Sequence, residues 1–150
     1  MPEAIFYGVL ELVEERLRER LLGHKRTDGS TLDIPVLRTD TIEKLDKNVP
    51  LQVSVMSAGF QVDEQTSRQA AVIEQIVCIV AARNPRTQRE GSASMEEAGP
   101  LLKAVFDALF AWSPHDGYEK FTIIDTPGHQ HEAGFGLFPI AFQTRYVLGA

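Results

Sequence analysis

Cysteine is nearly absent. Cys78 is the single thiol in 150 residues, so one chain can build neither a disulfide framework nor a multi-thiolate metal site. It lies in the apolar run Ile76-Val77-Cys78-Ile79-Val80, where a buried, inert thiol is the expected outcome. Positive charge is also short: 15 Lys and Arg stand against 21 Asp and Glu, a net charge of -6. This balance disfavours broad phosphate binding, which needs a clustered basic face to release counterions, and a sequence-reading DNA or RNA protein is not expected. No apolar run approaches the ~20 residues that span a bilayer. Met1-Pro2-Glu3 leads into an amphipathic pattern rather than a basic start and apolar centre, so synthesis in the cytoplasm without a secretion signal is expected.

What is present fits an ordinary globular protein, 43% hydrophobic and 24% charged. The length suits a single domain over 1–150 burying roughly two-thirds of its unfolded surface. From Glu3 to Leu22, the residues Ile5, Val9, Leu12, Val13, Leu17 and Leu21 recur at three- and four-residue steps and predict a first helix, with Gly23 as its stop and Glu14 to Arg18 as an i,i+4 pair. Leu51, Val53 and Val55 alternate with Gln52 and Ser54, the period-two mark of a half-buried strand, and Ala58-Gly59 reads as a turn or bulge. Ala70 to Arg83 is long, apolar and β-branched and reads as a central strand, with a helix as the alternative.

The segment 84–99 (NPRTQREGSASMEEAG) has little to bury and reads as a long exposed loop. Within it Ser94 and Glu97 form a capping box, although Pro100 can instead open the next helix. The apolar stripe of that second helix is Leu102, Val105, Phe106, Leu109 and Trp112, ended by Ser113-Pro114. Phe121 to Asp125 reads as a short strand, Thr126 to Gly134 as a turn-rich link, and Gly136 to Leu148 as a long strand with Phe138, Ile140, Phe142, Tyr146 and Leu148 on one face. Pro139 in that strand argues for a bulge or an edge position. Helix, strands, helix, strands, without repeated βα units, gives an α+β fold: a mostly antiparallel, mixed sheet with two amphipathic helices packed on one face.

Two segments invite an enzymatic reading. Ile123-Ile124-Asp125-Thr126-Pro127-Gly128-His129 looks like the magnesium-binding switch of translation-type GTPases, but the phosphate-cradling pattern GxxxxGK[ST] and a base-reading NKxD segment are missing. His129-Gln130-His131-Glu132 faintly resembles the first motif of cupins. Phe135 and Gly136 stand where a further ligand belongs, and no later His follows. His24 and His115 are both flanked by turn residues. No GxSxG elbow or Cys-His pair in a plausible context is present. No catalytic residue, cofactor-binding residue or metal ligand is therefore assigned. A small GTP- or metal-dependent enzyme using DTPGH or HQHE is the alternative from a different class.

The order of the pieces carries a resemblance. An N-terminal amphipathic helix is followed by PLQVSV closing on Ser57-Ala58-Gly59, by VIEQIVCIVAAR, and by a polar loop into LLKAVFDALFAWSP. A closing strand reads GLFPIAFQTRYVL. With the Trp112-Ser113-Pro114 helix end and the Phe142-Gln143-Thr144-Arg145-Tyr146 strand, this resembles the tail terminator family of tailed bacteriophages, including the branch found in Mu-like prophages. The resemblance implies a virion structural protein without cofactor or catalytic residues. It implies a hexameric ring that binds the end of the tail tube, stops tail polymerisation and offers the head-joining surface. Implied partners are copies of itself, the tube protein and the neck, connector and sheath proteins. DNA only passes through the ring, and the location is the host cytoplasm during assembly and then the virion tail. A neighbouring neck or tail-completion protein is the alternative within the same class. Arg83, Arg86 and Arg89, at three-residue steps in a chain of net negative charge, are the expected partner-contacting residues.

Overall fold

The computed structural model describes residues 4–39, 42–83, 92–132 and 134–149. Helix α1 covers Val9–Arg20 and buries Val9, Val13 and Leu17, the core of the predicted stripe. Its start differs from expectation. Tyr7 takes a left-handed backbone (φ 61°), and Ile5 is 61% exposed. The residues ahead of Val9 thus form a strap rather than a first helical turn. The chain continues through β1 (His24–Lys25), β2 (Thr31–Leu32) and β3 (Val36–Arg38), then a 3-10 turn at Ile42–Lys44. Glu14 pairs with Arg18 as the spacing required and also with Arg38 at 2.8 Å, tying α1 to β3.

Three fifteen-residue strands form the body of the sheet: β4 (Leu51–Gln65), β5 (Gln69–Arg83) and β8 (Phe135–Gly149). Between β5 and β8 lie α2 (Ser92–Leu109), β6 (Thr122–Ile124) and β7 (Gln130–Glu132). The strand order is β3-β4-β5-β8-β6, with β7 also on β8. Among the described residues only the β3–β4 pair is parallel. The run Ala70 to Arg83 is thus a central strand and not a helix. β4 runs on past Ser57, because Gly59 (φ 99°) carries a bulge between Ser57 and Gly59 instead of a turn.

Both helices lie on one face, α1 over β3 and β4 and α2 over β5 and β8. The side chains of Val72, Ile76, Cys78 and Val80 on β5 and of Phe138, Ile140, Phe142 and Tyr146 on β8 are buried beneath them. Helix α2 begins at Ser92, inside the segment expected to be loop, and Pro100 sits within it rather than at its first position. Its buried residues are Ala98, Leu101, Val105, Ala108 and Leu109, whereas Leu102, Phe106 and Trp112 are only partly covered. The helix stops at Leu109, before the expected Ser113-Pro114, where Ala111 adopts a left-handed φ of 60°. Gly136 lets its start approach the sheet: a Cβ there would lie 2.8 Å from Ser94 Cβ.

The opposite face is closed at one end by Leu45, Ala81 and Phe135 with Leu37 and Leu137. Gln52 donates to Asp46 O at 2.8 Å and accepts from Asp46 N at 3.0 Å. The expected half-buried strand is consequently buried on both faces at Leu51 to Val55. Pro139 needs no bulge. The Ala141 N–H donates to Thr126 Oγ1 on the side away from β5, so the Pro139 nitrogen faces that side too. There it falls between the stretches paired with β7 and β6, an edge-like position that costs no ladder bond.

Candidate functional site

The segments that invited an enzymatic reading take structural roles along β8. Ile123 and Ile124 belong to β6, Asp125 is exposed, and Thr126 caps a strand backbone, so the DTPGH segment is a strand end followed by irregular chain. His129 stacks on Phe138 with ring centroids 5.3 Å apart and meets His131 edge-on at 5.5 Å. Among the described residues no three His, Cys, Asp or Glu gather closely enough to hold a metal. His24 is held below its ordinary pKa by burial, with Glu97 opposing and Arg26 reinforcing the shift. His115 instead orders its own turn, its Nδ1 accepting from Gly117 N at 3.0 Å. Cys78 is fully buried and burial pushes its thiol up to about 12, so it carries little thiolate at neutral pH.

Of the expected contact residues, Arg83 is exposed at the end of β5, its backbone N–H bonded to Pro50 O at 2.9 Å. Arg86 and Arg89 lie outside the described residues.

Sequence reasoning missed a buried polar site. Glu74, in the middle of β5, is fully buried, and its Oε1 accepts from the Tyr146 hydroxyl at 2.6 Å and from Tyr7 N at 3.3 Å. Oε2 is buried and finds no partner among the described residues. Burial first, then the hydrogen bond and charge of Glu74, push the Tyr146 phenol up. Tyr118 stacks edge-on against Tyr146 at 5.1 Å, and its hydroxyl meets Ile5 N at 3.4 Å. The site therefore holds the strap before α1 against the sheet. Its only sequence signal is an acidic residue inside the apolar run Val72-Ile73-Glu74-Gln75-Ile76-Val77.

Above it the strap exposes apolar surface. Phe6 and Phe60 pack at 4.5 Å between ring centroids and remain 44% and 42% exposed. Tyr7 and Val62 extend the patch, and a recess of about 340 Å³ opens beside Phe6, Gln65, Gln69 and Leu148. One residue before Tyr146 on β8, Arg145 joins Asp63 at 2.9 Å, Glu119 at 3.6 Å and Glu64 at 3.8 Å. Outside the core, the chain thus offers apolar and charged contact surface at the free end of its longest strands.

Residues 10–150 match a family model described as phage tail terminator protein. No curated protein matches the chain. Among the described residues no helix is long and apolar enough to cross a membrane. Nearly the whole sheet and both helices fall within the matched span, so the chain belongs to the phage tail terminator family, which points to a non-enzyme with a structural tail-completion role, associated with other tail components in the virion tail.

Proposed function

We propose that the protein ends the tail tube: six copies close into a ring on its last layer, stop its polymerisation and present the surface to which the head is joined. The observation that carries this reading is the family match over residues 10–150. Three features support it. Both helices and the long strands pack into one main cluster, which we read as a single domain over 1–150. Its longest strands end in exposed apolar surface, and heterologous contacts that close on themselves turn one pair of surfaces into a ring. The net charge of -6 suits a lumen through which DNA passes without being retained. Partners in this reading are other copies, the tube protein and the neck, connector and sheath proteins, met in the host cytoplasm during assembly.

Arg83, Arg86 and Arg89 are proposed as part of the contact surface, pairing with an acidic patch on a neighbour. Sedimentation of the purified protein, alone and with tube protein, followed by electron microscopy, tests the whole reading. Six-fold rings at tube ends are expected; a stable two-fold dimer that persists when tube protein is added overturns it. Replacing Arg86 and Arg89 together with Glu is expected to slow assembly in a salt-dependent way without unfolding the chain. Equal assembly at low salt would remove these residues from the contact.

A further inference from the structure

β4 is fifteen residues long, yet its outer side meets β3 only at Val53, Ser54 and Val55. Among the described residues no strand pairs with that side beyond Val55. The direction of its free groups follows from the ladder. Val53 N–H donates to Pro35 O, away from β5, and Val53 faces Val80. Phe60 and Val62 face Glu74 and Val72, in the same phase of β5, so their N–H and C=O groups also point outward. The segment Ser57 to Gln65 (SAGFQVDEQ) contains neither Lys nor Pro, and its charged residues, Asp63 and Glu64, come only after Val62. Its two bulges twist the strand, but Phe60 and Val62 still combine open backbone groups with exposed apolar side chains, 42% and 56% accessible.

The other edge of the sheet is complementary. Ile123 faces Phe142 across β6 and β8, and residues of β8 in the phase of Ala141 are the ones whose backbone turns toward β6. Ile123 therefore points its N–H and C=O outward and is 45% exposed. Two residues earlier the edge is already covered, because Phe121 exchanges hydrogen bonds with Ala111 and Trp112. From β4 through β5 and β8 to β6 every pairing is antiparallel, so β6 runs opposite to β4. A second copy whose β6 edge approaches this β4 edge would extend the ladder antiparallel, with Ile123 and Phe60 or Val62 on the same, helix-bearing face. Such a contact joins two different surfaces and propagates around a ring, whereas β4 against β4 stops at a dimer.

We infer that the β4 edge from Ser57 to Gln65 is a strand-addition interface for a second copy of this chain, which seats its β6 edge at Ile123 there. The inference rests on the ring reading above and names its contact. The full chain carrying Gln61→Cys is mixed under oxidising conditions with chain carrying Thr122→Cys or Ile124→Cys, alone and on tail tubes, the buried Cys78 being silent. A covalent dimer is expected from the mixture and from neither variant by itself. Val62→Pro removes only an outward donor, and is expected to weaken association about tenfold or more, the factor that ~1.4 kcal/mol represents. Val62→Lys, which keeps the backbone donor, should weaken it as well. Cross-linking by Gln61→Cys alone would assign β4 to a two-fold contact, and cross-linking of it to tube protein would assign the edge to that partner; either overturns the inference. Rings that form normally with Val62→Pro and Val62→Lys and give no mixed dimer also overturn it while leaving the ring reading intact. Wild-type chain that stays monomeric on tube ends overturns both.

Discussion

Replacing Tyr146 with phenylalanine deletes one oxygen from a fully buried polar contact. The hydroxyl sits 2.6 Å from Glu74 Oε1, and Tyr146 and Glu74 are 2% and 0% exposed. The ring contacts with Tyr118 and Phe6, at 5.1 and 6.5 Å, survive the change, so no cavity larger than the lost atom forms. What remains is a buried acceptor with the longer Tyr7 N–H bond of 3.3 Å as its only partner among the described residues. Leaving a buried acceptor short of a partner costs about 1–3 kcal/mol. With one contact retained, a loss near 2 kcal/mol is expected, a fall in Tm of about 4–8 °C for a domain of this size. Urea unfolding followed by circular dichroism reads it as a lower midpoint at unchanged slope. The double variant Glu74→Met with Tyr146→Phe should recover part of the loss, since replacing both partners removes the unsatisfied group. A loss under about 0.5 kcal/mol, the range of neutral surface changes, would refute the role given to this pair.

Gly99→Ala in α2 places a Cβ before Pro100, whose ring disfavours helical backbone in a preceding residue that has a Cβ; this should offset the about 0.5–1 kcal/mol that Gly→Ala contributes inside a helix, so no rise in Tm is expected. Alkaline pH should destabilise the fold. Burial holds the Cys78 thiol up to about 12 and raises the Tyr146 phenol, so the folded chain keeps protons that the unfolded chain releases from about pH 8.5 and 10. That stability is complete below those values and is lost progressively as pH rises from them through the raised values of the folded chain. Cys78→Ala and Tyr146→Phe should each flatten the decline between about pH 9 and 12 in unfolding experiments. Elemental analysis of untagged protein and a GTP titration should give no stoichiometric zinc or nickel and no micromolar affinity; either finding would reopen the DTPGH or HQHE reading.

The parts of the fold visible in the sequence are those where one rule acts alone. The Val9, Val13 and Leu17 stripe follows from helical spacing, and the Phe138 to Tyr146 face from strand alternation. The second half of β4 was hidden because the bulge at Gly59 shifts the phase of its polar, exposed residues, so period two disappears where the strand continues. The start of α2 was hidden by composition: Ser92 to Gly99 is helical although it is mostly small or polar, with Ser94 and Ala98 buried against the sheet. The strap before α1 carries helix-like spacing at Ile5, yet Tyr7 is turned by its bond to Glu74, a contact 67 residues away. No local pattern announces a partner at that distance. The phase of the open β4 edge likewise emerges only from the pairing register.

The sheet order also sets how the chain must fold. β5 finds β4 across a turn of three residues, Thr66 to Arg68, but its other flank is filled by β8, whose residues pair with it over separations as wide as Gln69 with Gly149. The β4–β5 hairpin can therefore form early while the floor beneath α2 stays incomplete, because Phe138, Ile140 and Phe142 arrive only with the final strand. Closing that long loop comes before its contacts can reward it. Refolding should be paced by the docking of β8, and until it docks β5 has a second bare, apolar edge open to any passing strand.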